Sequence, residues 1–312
     1  MLDNKNMKQN VTLKLKLEDI EKIKEFYKDF LVPNNGEYIL FQAKDSDNVI
    51  TAYSSKKELY TVTFSGINAL ELAKKWDKDA KIKESKPKEK EQWLYFQDQI
   101  GSDEVGVGDF LLPMIVVAAY LKNEDVDALI KLGIHDSKKM TDEEILRIGP
   151  SLVEHFDFSK LTLSNAKYNE MISKGENINS LKAKLHNRAL LNMKKKHHNG
   201  EAIFIDQFCS PKCFYRYLND ENEEKVTDIT FKTKGESSYP SVALASVIAR
   251  YSLLLEVEKL NNKYKTSFPF GAGNKVDDFA EKFIKKFGFN EFNKIAKQNF
   301  KNYKNLLTDK LV

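Results

Sequence analysis

A highly charged segment divides this chain into two parts that have to fold separately. Residues 81–92 read KIKESKPKEKEQ, which combines many charges and a proline with almost no apolar side chain. A segment of this composition cannot bury enough surface to offset the entropy lost on ordering, and it is typical of a linker. We therefore predict one domain over residues 1–82, a linker over 83–92 and a second domain over 93–312.

Composition excludes several classes of protein. The chain has 312 residues, and 41% of them are hydrophobic, so both parts can bury a core. Its net charge of +4 is too small to indicate a nucleic-acid partner by itself. Two cysteines, Cys209 and Cys213, cannot form a disulfide framework, which favours a reducing compartment. No unbroken apolar run reaches about 18 residues and no secretion signal is evident, so we expect a cytoplasmic protein without a membrane span.

The first part has the pattern of a small α+β domain. Residues 11–17 alternate apolar and polar side chains, as a half-buried strand does. Residues 18–30 then change to helical spacing. Three β-rich runs follow at 38–43, 49–54 and 60–65, and Asn68 is placed to cap a last helix.

The second part changes to an α/β pattern. Strands are predicted at 95–105, 112–121, 202–206 and 228–232. Helices are predicted at 141–153, 178–196, 240–260, 276–287 and 290–299, the first opened by the capping box TDEE and the third by Pro240. This alternation predicts a sheet with helices packed against it.

Four acidic residues stand where an acid is a poor local choice. Asp103 and Glu104 interrupt an apolar strand, and Asp206 ends another, while Glu236 precedes the longest helix. Taken singly, each can be a turn former or a solvated loop acid. Taken together in one α/β domain, they favour a shared cation, because clustered carboxylates repel one another unless one is present. Oxygen ligands without His or Cys partners indicate Mg²⁺ or Mn²⁺.

Other motifs give weaker indications. The sequence GVGDFL at 106–111 lacks the third glycine of a dinucleotide-binding loop, and Cys209 and Cys213 have no further zinc ligands nearby. His186 lies near the apolar stripe of its helix, so we expect a packed or capping side chain. Ser246 and Arg250 lie one turn apart on the longest helix, and the sequence assigns them no role.

Several motifs, in a fixed order, resemble type 2 ribonuclease H, and specifically bacterial ribonuclease HIII. They are GSDEVGVGD at 101–109, HDSKK at 135–139, YN at 168–169, LHN at 185–187, IDQF at 205–208, YPSVA at 239–243 and GAG at 271–273. The resemblance covers residues 93–312. It implies a ribonuclease H-like fold with a mixed sheet and flanking helices. It also implies a small TATA-binding-protein-like domain at the N-terminus that binds substrate.

The resemblance also implies an activity, which is endonucleolytic hydrolysis of the RNA strand of RNA/DNA hybrids by two-metal-ion catalysis. The metal ligands would be Asp103, Glu104 and Asp206, with Glu236 as the fourth catalytic carboxylate and Mg²⁺ or Mn²⁺ as the cofactor. Products would carry 5′-phosphate and 3′-hydroxyl ends. We expect a monomer that uses no small-molecule cofactor.

Substrate contacts are implied at the glycine loop and at a lysine pair. The residues concerned are Gly106, Val107, Gly108, Lys138 and Lys139. Glycines allow a backbone to approach the ribose 2′-hydroxyl closely, although they also suit a tight turn between strands. Val107 departs from the family, which usually has a hydroxyl residue there, so only backbone contacts carry over. The lysines can bind phosphate or be solvated.

Two alternatives remain open at this point. One is the activity of the ribonuclease HII type, which is incision at single ribonucleotides embedded in duplex DNA. The other is a hybrid-binding protein that has kept the fold without catalysis, which the intact set of four acids argues against. In the N-terminal part, a strand face predicted to carry Lys14, Lys16, Thr51, Tyr53, Thr61 and Thr63 can bind a nucleic-acid backbone or simply be solvated.

Overall fold

The chain forms two compact units, Met1–Glu89 and Lys90–Val312. The computed structural model describes residues 9–33, 38–55, 58–82, 93–94, 97–197, 200–219 and 224–308. The predicted linker over 83–92 lies outside the described residues, so the domain boundaries at 82 and 93 stay predictions. Each unit is built on its own five-stranded sheet.

The N-terminal unit is an antiparallel sheet with two helices. Its strands have the spatial order β1-β5-β4-β3-β2. The elements are β1 (Gln9–Leu15), α1 (Leu17–Phe26), β2 (Leu31–Val32), β3 (Ile39–Lys44), β4 (Asn48–Tyr53), β5 (Tyr60–Gly66) and α2 (Ala69–Lys74). The predicted strand over 11–17 is two residues too long, because Lys16 is the N-cap of α1 and Leu17 begins that helix.

The two faces of this sheet differ in polarity. Alternate residues of its strands, such as Val11, Ile50 and Phe64, are fully buried in a core that also takes in apolar side chains of α1 and α2. On the other face, strand pairing aligns Lys14 with Thr61 and Thr61 with Tyr53. A neighbouring row aligns Thr12, Thr63, Thr51 and Gln42. The predicted polar strand face therefore exists, except that Lys16 lies outside it.

The C-terminal unit has a mixed sheet in the order β10-β9-β6-β7-β8. The strands are β6 (Gln99–Val105), β7 (Met114–Leu121), β8 (Phe158–Leu163), β9 (Ala202–Asp206) and β10 (Ile229–Lys232). The pairs β6–β7 and β7–β8 are antiparallel, whereas β9 is parallel to both β6 and β10. The helices are α3 (Val126–Lys131), α4 (Asp142–His155), α5 (Asn165–Ser173), α6 (Ile178–Lys194), α7 (Pro211–Tyr217), α8 (Pro240–Tyr264), α9 (Asn274–Phe287), α10 (Phe289–Ile295) and α11 (Lys301–Thr308).

Helices cover both faces of this second sheet. Along β7, Ile115 and Val117 point into the core shared with α8, whereas Val116 and Ala118 point into the core shared with α6. Helix α8 packs directly on β6, since a Cβ at Gly101 would lie 2.2 Å from the backbone of α8. A strand buried on both faces has no solvated side, so its polar side chains have to meet at the strand ends.

Helix α8 is the longest element and a core helix. Within the described part of the chain, it is the one helix long and apolar enough to cross a membrane, and 72% of its most apolar stretch is buried. Its predicted start at Pro240 is confirmed, with proline in the first turn. The capping box predicted at Thr141 is also present, with Glu144 as its partner.

Candidate active site

Strand pairing brings the four predicted acids to one edge of the mixed sheet. Asp103 and Glu104 lie near the end of β6, and Asp206 ends the parallel neighbour β9. The register pairs Ser102 with Ile205, one position before Asp103 and Asp206. Glu236 lies in a 3-10 turn beyond β10, held by the indole N–H of Trp93, which donates to the Glu236 carbonyl at 3.0 Å. The carboxyl ends of parallel strands are where α/β sheets place their sites.

Asp103 is a buried carboxyl group in the centre of this cluster. Its side chain accepts a hydrogen bond from the Glu104 N–H at 2.8 Å, and Ser246 of α8 lies near enough to lower its pKa. Burial, followed by the nearby charges of Glu104 and Asp206, raises the pKa of Asp103 to about 8, because these effects outweigh those of the polar groups that stabilise the charged form. In the absence of a cation, this position therefore favours a proton.

Glu104 is neutralised instead by two basic side chains of α6. Lys182 forms an ion pair with Oε1, and His186 donates from Nε2 to Oε2 at 2.9 Å. Both basic side chains are buried, at 8% and 0% exposed. Burial opposes ionisation of Glu104, but His186 and Lys182 outweigh it and hold the pKa of that carboxyl below its usual value. The ring of Phe208 lies 4.0 Å from the Lys182 ammonium and stacks on His186.

Asp206 and Glu236 form the other side of the cluster. Asp206 accepts a hydrogen bond from the Gly235 N–H at 2.8 Å. Burial raises the pKa of Asp206, and the charges of Glu236 and Glu104 act in the same direction. Glu236 is 5% exposed and forms an ion pair with Lys138, whose own pKa is raised mainly by that contact.

The donor set suits a divalent cation, although its members are turned to protein partners. Among the residues described, no group of three or more Asp, Glu, His or Cys side chains already has the arrangement of a metal site. The mutual effects on pKa place Asp103, Glu104, Asp206 and Glu236 within reach of one another. Glu104 and Glu236 already form ion pairs with lysines, and the raised pKa of Asp103 favours its protonated form. Hard carboxylate oxygens under this repulsion are the ligands that Mg²⁺ and Mn²⁺ prefer.

The two glycines of the loop after β6 have different roles. Gly106 is buried with φ of +83°, and a Cβ there would lie 2.0 Å from the Pro113 carbonyl oxygen, so the turn itself requires glycine. Gly108 is exposed, and a Cβ there would meet nothing within 4 Å. The Val107 side chain packs against a small apolar cluster with Tyr168 and Leu181. The open position in this loop is therefore Gly108, not the side chain of Val107.

The predicted lysine pair lies at the surface of the catalytic domain. Lys138 and Lys139 end a 3-10 segment, Ile134–Lys139, and both side chains are exposed. Lys138 reaches into the acidic cluster through Glu236. Lys138 thus lies beside the acids, and the predicted contact of Lys138 and Lys139 with phosphate stays a prediction.

Three residues near the acids had no predicted role there. They are Lys182 and His186, which bind Glu104, and Ser246, which lies near Asp103. His186 is packed, as expected, but its contact with Glu104 was not foreseen. A signal was available in α6, because Lys182 and His186 share a face with the buried Ala189, and a lysine on a buried face requires an anion.

Comparison with known proteins identifies the family. The family model Ribonuclease HII matches residues 100–303, and Domain of unknown function (DUF3378) matches residues 10–90. Ribonuclease HIII of Bacillus cereus (strain 03BB102) is 36% identical over 306 residues, which cover 95% of this chain and 97% of that protein. This chain belongs to the ribonuclease HIII family.

Solved structures of ribonuclease HIII and its relatives agree with the fold. Bst-RNase HIII in complex with Mn²⁺ has 33% sequence identity and a TM-score of 0.67, with 96% of this chain and 98% of that chain covered. Ribonuclease H2 from Pyrococcus horikoshii OT3 has 21% identity and a TM-score of 0.56, with 68% of this chain and 98% of that chain covered. That second likeness concerns the fold alone. The predicted ribonuclease HIII family and ribonuclease H-like fold are confirmed.

Proposed function

We propose that Asp103, Glu104, Asp206 and Glu236 form the catalytic centre of this ribonuclease HIII. The protein is a metal-dependent endoribonuclease that hydrolyses the RNA strand of RNA/DNA hybrids. The observation that carries the assignment of residues is the meeting of four carboxylates at the ends of β6 and β9, where burial and mutual repulsion raise the pKa of Asp103 and Asp206. Nothing in the packing of the domain requires four acids at this edge.

Asp103, Glu104 and Asp206 would hold Mg²⁺ or Mn²⁺, with Glu236 as the fourth carboxylate. When bound, the ions supply an activated water and stabilise the leaving 3′-oxygen, which gives 5′-phosphate and 3′-hydroxyl ends. The Glu104 N–H orients the Asp103 carboxyl group, and the Gly235 N–H orients that of Asp206. Lys182, His186 and Lys138 balance the charge of the cluster before the ions arrive.

Substrate would be bound by three features described above. The Gly106–Val107–Gly108 loop would approach the ribose through its backbone, because Gly108 leaves open space. Lys138 and Lys139 would contact phosphate. The polar face of the N-terminal sheet, with Lys14, Thr61 and Tyr53 in one row, would bind the hybrid backbone.

The remaining expectations concern the state of the protein in the cell. We propose that it acts in the cytoplasm as a monomer, without a membrane and without a small-molecule cofactor. The absence of a disulfide between Cys209 and Cys213 is compatible with a reducing compartment.

Cleavage of two end-labelled substrates tests the proposal. One is RNA fully paired with DNA, and the other is duplex DNA that contains a single ribonucleotide. Each is incubated with Mg²⁺, with Mn²⁺ and with a chelator. We expect metal-dependent cuts within the continuous RNA and little cutting at the single ribonucleotide.

The other outcomes are equally informative. Preferential incision at the single ribonucleotide would indicate activity of the ribonuclease HII type. Tight binding of the hybrid without cleavage under any metal would indicate a binding protein, and the four acids would then need another explanation.

A further inference from the structure

A buried lysine holds the loop that follows β6. Lys297 lies between α10 and α11 with its side chain fully buried. Its ammonium group donates to the Gly106 carbonyl at 2.5 Å and to the Asp109 carbonyl at 2.8 Å. Its backbone N–H also donates, to the Phe110 carbonyl at 3.0 Å. One residue therefore binds both ends of the glycine loop from inside the domain.

The buried ammonium group of Lys297 is surrounded by carbonyls and aromatic rings. Among the described residues no ion pair is formed by Lys297, and burial lowers its pKa to about 8, although the nearby charge of Asp109 acts in the opposite direction. The rings of Tyr168 and Phe300 lie 5.5 and 5.7 Å from the ammonium group. An apolar side chain such as methionine would remove the buried charge, but it would leave the Gly106 and Asp109 carbonyls without this donor, so a lysine suits a site into which these two carbonyls point.

The segment that carries Lys297 is itself fixed by side-chain amides of α5. Asn165 donates to the Ile295 carbonyl at 2.6 Å, and Asn169 donates to the Ala296 carbonyl at 2.8 Å. The Gln298 N–H donates back to Asn169 at 2.9 Å. The lysine thus acts from a rigid support.

The inward carbonyls determine which way the loop presents its donors. A trans peptide is planar, with its C=O and N–H pointing in opposite directions, and the described chain has no cis peptides. The Gly106 carbonyl accepts from Lys297 and, at 3.3 Å, from the Asp109 N–H, so the Val107 N–H of the same peptide points away from both donors. No backbone carbonyl of the described residues accepts a hydrogen bond from that N–H. At the other end, the Phe110 N–H is used, donating to Gly271 at 2.9 Å.

We propose that Lys297 is a positioning residue for sugar recognition. By holding the Gly106 and Asp109 carbonyls inward, it directs the unpaired Val107 N–H outward beside the open position at Gly108, as a donor to the ribose 2′-oxygen. The inference rests on the proposed function, because it takes this loop to be the part of the site that meets RNA.

The test compares Lys297→Met with Lys294→Met, a change at an exposed lysine of the neighbouring helix that pairs with Glu291. Single-turnover cleavage is measured on an RNA/DNA hybrid and on the same hybrid with one 2′-deoxynucleotide at a mapped cleavage site. We expect Lys297→Met to cut the ribonucleotide site roughly tenfold more slowly, the usual effect of losing one hydrogen bond, and the deoxynucleotide site at the wild-type rate. Lys294→Met should match the wild type on both.

A merely structural role would give a different result. A partly unfolded variant would lose activity equally on both substrates, and an equal loss or no loss would overturn the assignment. The thermal shift caused by Mn²⁺ should be the same in wild type and Lys297→Met, because the carboxylates are untouched. If Lys297→Met does not fold, Lys297→Gln takes its place, since an amide can still donate to one carbonyl, and we then expect a smaller loss on the ribonucleotide site alone.

Failure of the inference is distinguishable from failure of the proposed function. Wild-type protein that cleaves the hybrid while Lys297→Met keeps full discrimination would overturn only the role of Lys297. Wild-type protein that cleaves neither substrate would overturn both.

Discussion

The two sheets of this ribonuclease HIII have five strands each, but they place their polar side chains differently. The N-terminal sheet is antiparallel and leaves a polar face with Lys14, Thr61 and Tyr53 in one row. The catalytic sheet is covered by α8 on one face and α6 on the other. Its polar groups meet at the strand ends, where Asp103 and Asp206 are neighbours.

Under the proposed function, this difference separates substrate binding from chemistry. A solvated sheet face offers many weak contacts in high dielectric, which suit a long backbone ligand. A strand end enclosed by helices concentrates charge in low dielectric, where a carboxylate has a perturbed pKa and a cation is strongly attracted. Substitutions in the first sheet should therefore change affinity, and substitutions in the second should change turnover and stability.

The largest effect is expected from Asp206→Asn. The amide keeps the shape of the side chain and can still accept from the Gly235 N–H, but it removes a charged ligand. We expect a loss of about 4 kcal/mol of transition-state stabilisation, roughly a thousandfold in rate, with hybrid binding retained. End-labelled cleavage and fluorescence anisotropy measure the two effects. The control is Asp228→Asn, at an exposed acid that pairs with Lys194; a wild-type rate in Asp206→Asn would refute the ligand assignment.

Lys182→Met should destabilise the catalytic domain. It leaves Glu104 buried without its lysine partner, and breaking a buried pair from one side typically costs about 3–5 kcal/mol. Urea denaturation in chelator measures the loss, and saturating Mn²⁺ should restore part of it by neutralising Glu104. Lys184→Met, which removes a half-buried ion pair to Glu176 on the same helix, is the matched control and should show no rescue by Mn²⁺.

Asp103→Asn, unlike Lys182→Met, should increase the stability of the catalytic domain in chelator. Because the folded-state pKa is raised to about 8, the protonated carboxyl is favoured on folding, and this stability is fully present below the usual pKa of 3.8 and is lost as pH rises towards 8. Asparagine does not titrate, so the variant should be more stable than wild type by about 1–2 kcal/mol at neutral pH in chelator, and by less at pH 5. Thermal denaturation at the two pH values measures this. An advantage that does not change with pH would contradict the assignment.

The smallest effect is expected on the N-terminal sheet. Combining Lys14→Glu with Tyr53→Ala should raise the KM for hybrid roughly tenfold, leave kcat unchanged and reduce the dependence of binding on salt by about one unit of slope. A salt titration of binding provides the measurement. Lys22→Glu, on the exposed surface of α1 where it pairs with Asp19, should leave both values near wild type. Unchanged binding in the double variant would reduce this face to a solvated surface.

The sequence predicted those features that depend on neighbours along the chain. The alternation from Val11, the capping box at Thr141 and the proline start of α8 are local patterns, and the structure contains each of them. Strand β8 and helix α5 were missed because FSKLTL and NAKYNEMIS have too few apolar side chains to show a period. Their stability comes instead from tertiary contacts, such as the amides of Asn165 and Asn169.

The residues of the site also divide into those that local sequence indicates and those that only tertiary contacts identify. The acids were recognisable because a carboxylate in an apolar strand is locally unfavourable. Ser246 was not, since a serine in a helix is ordinary until its neighbour Asp103 is known, whereas the signal for Lys182 was its position on the buried face of α6. Lys297 lies far along the chain from the loop it holds, and only the fold brings the two together.

The parallel pairing of β6 with β9 has a consequence for how the enzyme is made. Gln99 pairs with Ala202, so strand β6, which carries Asp103 and Glu104, can pair with β9 only after roughly a hundred more residues have been synthesised. Glu236 and the α8 residues that cover the sheet follow later still. A growing chain that has exposed only Asp103 and Glu104 lacks Asp206, Glu236 and helix α8, so under the proposed assignment the four acids can meet only after these later residues have been made.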